Sequence, residues 1–472
     1  MTMTANLACP ADEEALTGIL DERQGSVVLK EAGGASGAKG VECGKASVSG
    51  AVSQRACVFC GARVVLNPIT DAFHLVHGPI GCASYTWDIR GSLSSGPELY
   101  RRSFSTDLGE KDVVFGGLPK LRRAVDEIWE KHRPPVVFIY STCIVGVIGD
   151  DVDSVCREAE AAFPGLRVIN VKAPGFAGHK AMGYRLACEA LMSLISREPP
   201  EAPARAGVNI LGDFNLAGEM WIIRGYLERI GIPVVSAFTG DSTCASLKKA
   251  PSAALNVVQC AGSMQHLARS MEERFGIPYV KASFFGLEDT ASALSRIADL
   301  AGDGAARLKA RSLARSARGK AERELAPYLP GLAGKKAAIF VGGGFKAISL
   351  IRQFNALGMD TVLVGTQTGQ REDYEIIETL VKPGTVILDD ANPSELETFM
   401  REKGADILVG GVKERPLAYK LGIAFCDHNH ERKVPLAGFD GVINFTREIN
   451  LSINSPVWRR VRGAGDPFAA PA

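Results

Sequence analysis

Apolar runs and helix-spaced polar stretches alternate along most of this chain. Val136-Val137-Phe138-Ile139-Tyr140 is an unbroken apolar run led in by Pro134-Pro135, and it predicts a buried strand. From Asp150 to Phe163 acidic residues come first and apolar ones follow at helical spacing, as a helix start requires. Leu166 to Val171 is a strand again. Strands at Val208 to Leu211 and Val234 to Phe238 flank a helix from about Gly218 to Ile230. The strand Leu255 to Gln259 leads through Cys260 into a helix from Ser263 to Phe275. Ala337 to Val341, Thr361 to Val364, Val386 to Leu388 and Ile407 to Val409 repeat the unit. Strands alternating with helices imply parallel sheets covered on both faces. The units are too many for one sheet. The expected fold class is therefore α/β, with two to three Rossmann-like parallel-sheet domains.

The expected organisation follows from where the alternation starts and breaks. Residues 1–50 are rich in Gly, Ala and Ser, with the run Glu31-Ala32-Gly33-Gly34-Ala35-Ser36-Gly37. Such a stretch buries too little to offset its ordering entropy, and a mobile arm is expected there. Three α/β domains are expected after it, over 51–205, 206–330 and 331–472.

The composition narrows the function mainly by exclusion. A formal net charge of +1 over 472 residues gives no support for nucleic acid or an anionic membrane as partner. No apolar run reaches the length of a membrane span. The N-terminus lacks a basic stretch followed by an apolar core, so a cytoplasmic protein is expected. Eleven cysteines in that setting point to reduced thiols or metal ligands rather than disulfides.

Three cysteines stand in Gly/Pro-marked turns: Cys57 in Arg55-Ala56-Cys57-Val58-Phe59-Cys60-Gly61, Cys82 in His77-Gly78-Pro79-Ile80-Gly81-Cys82, and Cys143 in Ser141-Thr142-Cys143-Ile144-Val145-Gly146. Thiolates are the soft ligands that hold iron–sulfur clusters, and four are the usual number. These turns offer three, with Cys60 close by. Each can also be read alone as a buried, inert thiol. Cys143 and Cys260 sit at the carboxyl ends of strands, where open α/β sheets bind ligands. For Cys260 a small buried hydrophobe is the competing reading. Gly342-Gly343-Gly344 does not continue as a dinucleotide fingerprint, and a tight strand-to-helix turn is expected. No phosphate-loop, serine-elbow or HExxH motif is present. Phe425-Cys426-Asp427-His428-Asn429-His430 carries two of the seven histidines, as an iron-ligating loop or a polar surface loop. Cys9 and Cys43 are assigned nothing.

These stretches carry a family resemblance, together with Phe104-Ser105-Thr106-Asp107-Leu108, Asp112 to Gly117, Ile148-Gly149-Asp150-Asp151, Phe275-Gly276-Ile277-Pro278, Phe284-Phe285-Gly286 and Gly438-Phe439-Asp440-Gly441. From about residue 55 to about 460 the chain resembles the nitrogenase component 1 (molybdenum-iron protein) superfamily. Within it, the chain is most similar to the E-type scaffold subunits of iron-molybdenum cofactor assembly. The resemblance implies cluster sites at strand C-termini between domains. It also implies that Cys57, Cys82 and Cys143 hold a [4Fe–4S] cluster at an interface with a homologous N-type subunit, which supplies the remaining ligand. Cys60 has no match. Cys260 matches the cysteine anchoring the cofactor or its iron–sulfur–carbide precursor. His428 or Asn429 falls where the catalytic subunit has its cofactor histidine. Arg90, Lys180 and Lys413 are matched cations that can hold an anionic cluster or homocitrate; each also reads as a solvated basic residue.

Departures from the catalytic pattern separate scaffold from reductase. Near Gly183 the catalytic subunit has a glutamine and a histidine, where this chain has Lys180 and Tyr184. Phe345 replaces an expected arginine. A phenol with an ordinary pKa of about 10 delivers protons poorly near neutral pH. The resemblance thus implies a scaffold in a heterotetramer of two E-like and two N-like chains. It would take its precursor from a radical-SAM protein and mature it with molybdenum and homocitrate, aided by the nitrogenase iron protein. The alternative is a catalytic subunit of a nitrogenase-like reductase, for example of methylthio-alkanes. A dark-operative reductase of tetrapyrroles fits the C-terminal loop poorly.

Overall fold

The computed structural model describes Arg23, 25–30, 41–43, 56–86, 92–96, 102–196, 205–429 and 432–458. These residues form three sheets. The first strand, β1 (Val27–Leu29), belongs to the third sheet.

The first sheet holds β2 (Ala72–His77), β3 (Ser103–Ser105), β4 (Val136–Ser141) and β5 (Arg167–Lys172), in the order β3-β2-β4-β5 and wholly parallel. All six residues of β4 are buried, as its unbroken apolar run requires of a strand covered on both faces. The second sheet holds β6 (Val208–Asp213), β7 (Val234–Thr239), β8 (Leu255–Val258) and β9 (Tyr279–Lys281), in the order β7-β6-β8-β9, again parallel. The third holds β10 (Lys336–Val341), β11 (Asp360–Thr366), β12 (Val386–Asp389), β13 (Ile407–Gly410) and β14 (Ala424–Asp427). Its order is β1-β12-β11-β10-β13-β14, parallel except where β1 pairs antiparallel with β12. Within the arm expected to be mobile, therefore, Val27-Val28-Leu29 closes a sheet edge.

Each sheet changes direction once. The chain lays β3 on one side of β2 and then β4 on the other. It does the same around β6, and around β10 it places β13 opposite β11 and β12. The crevice at such a switch point, beyond the carboxyl ends of the strands, is where doubly wound sheets bind ligands. Cys82 and Cys143 follow β2 and β4, Cys260 follows β8, and Lys413 follows β13. Every switch point thus carries at least one residue singled out from sequence.

Seven helices matter for the site: α1 (Val58–Leu66), α2 (Ile80–Tyr85), α3 (Glu110–Phe115), α4 (Cys143–Ile148), α5 (Lys180–Ile195), α6 (Ala261–Phe275) and α7 (Arg415–Lys420). One compact unit spans 55–327 and 432–446; the other spans 1–54, 328–431 and 447–472. The first two sheets lie within one unit, and the third belongs to the other. A continuous core joins the first two sheets, from Val58 and Phe138 through Leu191 to Phe238 and Leu267. Among the described residues no helix is long and apolar enough to cross a membrane.

The Gly342–Gly344 turn has a packing reason. A Cβ on Gly344 would lie 2.4 Å from Cβ of Asp373, so the helix entrance needs glycine there without any nucleotide.

Candidate metal centre

Three separate elements deliver Cys57, Cys82 and Cys143. Cys57 is the extended N-cap of α1 and forms an isolated antiparallel bridge with His179, the N-cap of α5. Cys82 lies in α2, just past the loop that leaves β2. Cys143 opens α4, directly after β4. Cys57 and Cys143 meet at Gly175, whose N–H donates to Cys143 Sγ at 3.0 Å. A Cβ at that position would stand 3.1 Å from Cys143 Sγ and 3.3 Å from Cys57 Cβ, so only glycine leaves the space open.

Charge coupling places Cys82 with the other two. Burial pushes its thiol pKa up, and the Cys143 and Cys57 sulfurs push it further, while the Thr142 hydroxyl pulls it down. Three thiolates packed together repel one another, and a cationic centre between them removes that repulsion. Among the described residues no group of three or more His, Cys, Asp or Glu side chains is placed to hold a single metal ion. A cluster asks for less convergence, because each thiolate needs to reach only its own iron. The donor set, the N–H aimed at sulfur and the open cradle at Gly175 all fit such a group.

The loops are tied from behind. Thr142 Oγ1 donates to His77 O at 3.0 Å, and a Cβ on Gly78 would lie 2.1 Å from that same hydroxyl. His77 is buried between Thr106 Oγ1 at 3.1 Å and Asp150 Oδ2 at 3.2 Å. Burial lowers its pKa against the pull of Asp150. Asp150 also accepts from Gly117 N at 3.0 Å. Sequence reading missed Gly175, Thr142 and this His–Asp pair; the only local signal was their position beside Gly/Pro-marked turns.

Cys60 is buried one turn inside α1, and its thiol hydrogen-bonds with Tyr85. Other thiols are plainly core. Burial pushes Cys156 and Cys188 up to about 12. Cys260 differs, being partly exposed at the N-cap of α6. Its backbone approaches β6 so closely that a Cβ on Gly212 would lie 2.6 Å from Cys260 Cβ. Lys180 begins α5, and its Nζ stands 5.8 Å from the centroid of the Tyr184 ring. Arg90 and His430 lie outside the described residues.

Lys413, His428 and Asn429 belong to the other unit, at the carboxyl edge of the third sheet. Lys413 is exposed in the turn after β13. His428 is wholly buried, with its N–H on Gly410 O at 2.9 Å, and Lys346 Nζ lies 3.4 Å from its carbonyl. Asn429 is half-buried, its N–H bound to Asp427 Oδ1 at 2.7 Å.

Beside Lys413, Glu414 is buried and caps its own turn, accepting from Gly411 N at 2.8 Å through Oε2. Burial pushes its carboxyl from 4.5 up to about 6. The native state then holds the proton more tightly than the unfolded chain. Its favourable contribution is complete below the ordinary value and is lost as pH rises through about 6. Glu414→Gln should therefore stabilise the protein by about 2 kcal/mol at pH 7.5 and by almost nothing at pH 4.5, read from urea unfolding at both pH values.

Similar proteins identify the family of this chain. The family model "Nitrogenase component 1 type Oxidoreductase" matches residues 57–454. The nitrogenase iron-molybdenum cofactor biosynthesis protein NifE of Clostridium pasteurianum is 62% identical over 93% of this chain and 96% of its own length. NifE of Methanosarcina barkeri is 51% identical over 94% and 97%. The solved structure of nitrogenase Cp1 at pH 5 superposes with a TM-score of 0.85 at 28% identity, covering 95% of this chain and 98% of that one. The chain belongs to the nitrogenase component 1 type oxidoreductase family, alongside its NifE members.

Proposed function

We propose that this chain is a scaffold subunit for assembly of the nitrogenase iron-molybdenum cofactor. Cys57, Cys82 and Cys143 hold a [4Fe–4S] cluster, with the fourth ligand from a homologous N-type subunit. The observation that carries the reading is the meeting of Cys57 and Cys143 at Gly175, with the Cys82 thiol close enough to feel the charge of both. Such a cluster supplies one-electron transfer. A rim of exposed apolar side chains supports the shared interface: Ile80 and Tyr85 flank Cys82, Val147 follows Cys143, and Phe176, 66% exposed, follows Gly175. Phe115, on α3 packed against α4, is 85% exposed. Apolar surface of that kind marks a protein contact. The assembly is a heterotetramer of two chains of each type.

The cargo is an iron–sulfur–carbide precursor delivered by a radical-SAM protein. Cys260 anchors it from the switch point of the second sheet. Its partial exposure at the entrance of a 15-residue helix leaves the sulfur within reach of a ligand. His428, Asn429, Lys413, Lys180 and Arg90 are the further groups assigned to the precursor and to homocitrate. Maturation adds molybdenum and homocitrate with help from the nitrogenase iron protein, in the cytoplasm. A cargo site must release what it holds, and a single thiolate with weaker companions suits release. A cation above a phenol at Lys180 and Tyr184 favours retaining an anion over delivering protons.

The test is Cys260→Ala in complex with the natural partner, purified without oxygen. Iron analysis and EPR should show the interface cluster retained and precursor loading reduced by more than about tenfold, as loss of a first ligand exceeds loss of its supports. Unchanged precursor loading would remove the anchor from this reading.

A further inference from the structure

The buried face of the first sheet holds a positive charge with no counter-charge among the described residues. Arg63 lies on α1, six residues beyond Cys57, and is 2% exposed. Its Nη2 donates to Ser103 Oγ at 2.5 Å, and its guanidinium carbon stands 5.4 Å from the centroid of the Tyr140 ring. Its Nε and Nη1 are buried with no hydrogen-bond partner. No carboxylate pairs with it among the described residues. His74, wholly buried, meets the Tyr140 hydroxyl through Nδ1 at 2.9 Å, and its Nε2 is equally unpartnered. Burial and the nearby Arg63 and Arg102 keep that imidazole neutral, so it adds no second positive charge and supplies no counter-charge.

A buried, unpaired guanidinium is expensive to maintain unless the working state supplies an opposite charge. The elements that hold this group are those that hold the thiols. Arg63 shares α1 with Cys57, Tyr140 lies on β4 three residues before Cys143, and His74 lies on β2, whose loop leads to Cys82. We propose that Arg63 is the fixed counter-charge of the negative cluster held by Cys57, Cys82 and Cys143, and that it raises that cluster's reduction potential. The inference rests on the cluster reading above and adds a residue to it.

The physics is electrostatic. Loading the site gathers thiolates, and reduction adds one more negative charge. A cation that cannot move or be screened favours both states. Six residues of helix place the Arg63 backbone about 9 Å along the axis from Cys57. Across about 10 Å, at an effective dielectric of about 20, one unit charge shifts a one-electron equilibrium on the order of tenfold, about 59 mV.

The experiment compares loaded wild type with Arg63→Met, Arg63→Gln and Arg63→Lys by anaerobic redox titration followed by EPR. Arg63→Met and Arg63→Gln should bind iron and titrate at a potential lower by about that tenfold factor. Arg63→Lys should remain near wild type. Cluster-free Arg63→Met should melt no lower than cluster-free wild type, because an unpaired buried charge has been removed. Unchanged potentials in both charge-removing variants would overturn the proposal. Failure of both to fold would overturn it too, since the guanidinium would then serve the fold itself. Iron analysis of wild type against Cys82→Ala comes first. Equal iron in those two proteins would instead remove the cluster reading, and this inference with it.

Discussion

Cys82→Ala should strip the purified complex of its interface cluster, lowering the EPR signal and the associated iron by more than about tenfold. In the proposed arrangement three ligands come from this chain, and two would not hold a four-iron cluster against solvent and added thiols. The same loss is expected for Cys57→Ala and Cys143→Ala. Cys143 gives up in addition the N–H bond from Gly175. The cluster-free fold should scarcely notice. Cys82 is only partly buried, and the apolar surface lost with its sulfur is worth about 1 kcal/mol. Cys156→Ala is the control. It sits in the hydrophobic core of the first sheet with its pKa pushed up to about 12, so it should lower stability and leave iron untouched. Full loading of Cys82→Ala would place the cluster elsewhere.

The site was legible in sequence to the extent that its chemistry is local. Gly and Pro beside each cysteine mark turns, and a strand before a cysteine marks the carboxyl edge of a sheet. Both signals survive in one dimension. The expected strand at Val136 to Tyr140 and the helix from Ser263 to Phe275 appear as β4 and within α6 for the same reason, since periodicity is a local property. What could not be read is pairing. The order β3-β2-β4-β5 is what makes the loops after β2 and β4 neighbours, and nothing in either loop encodes that order. Short edge strands were also missed. Three residues, as in β1 and β3, show too little alternation to stand out, and β1 lay in a Gly/Ala-rich stretch expected to be mobile. Arg63 was invisible for another reason. An arginine on a helix reads as solvated unless the other side of the sheet is known. Gly175 did not stand out, because a glycine after Pro174 reads as an ordinary turn and nothing local shows the sulfurs it must clear.

Gly183→Ala should destabilise the protein by about 3 kcal/mol or more, the upper range for overpacking a tight contact. The reason is a helix crossing with no room for a methyl group. On Gly183 of α5 a Cβ would lie 2.0 Å from Val58 O and 2.6 Å from Ala62 N of α1. On Gly61 of α1 it would lie 2.1 Å from Lys180 O. The obstructing atoms are backbone, so no rotamer relieves the clash and the helices must part. Val58, Ala62 and Ala187, buried at this contact, belong to the core shared by the first two sheets, so parting them opens that core. Function should fail with stability here, unlike in Cys82→Ala. Cys57 caps α1 and bridges His179 at the start of α5, so a shift at the crossing carries Cys57 away from Cys82 and Cys143. Gly183→Ala should therefore fall early in urea unfolding and also bind less iron in its folded fraction. Gly225→Ala, on the helix Glu219–Arg229, is the matched comparison. A Cβ there meets nothing within 4 Å, and helix propensity alone should stabilise it by up to about 1 kcal/mol with iron unchanged. If Gly183→Ala and Gly225→Ala unfold alike, the crossing is not the constraint that sets where Cys57 stands.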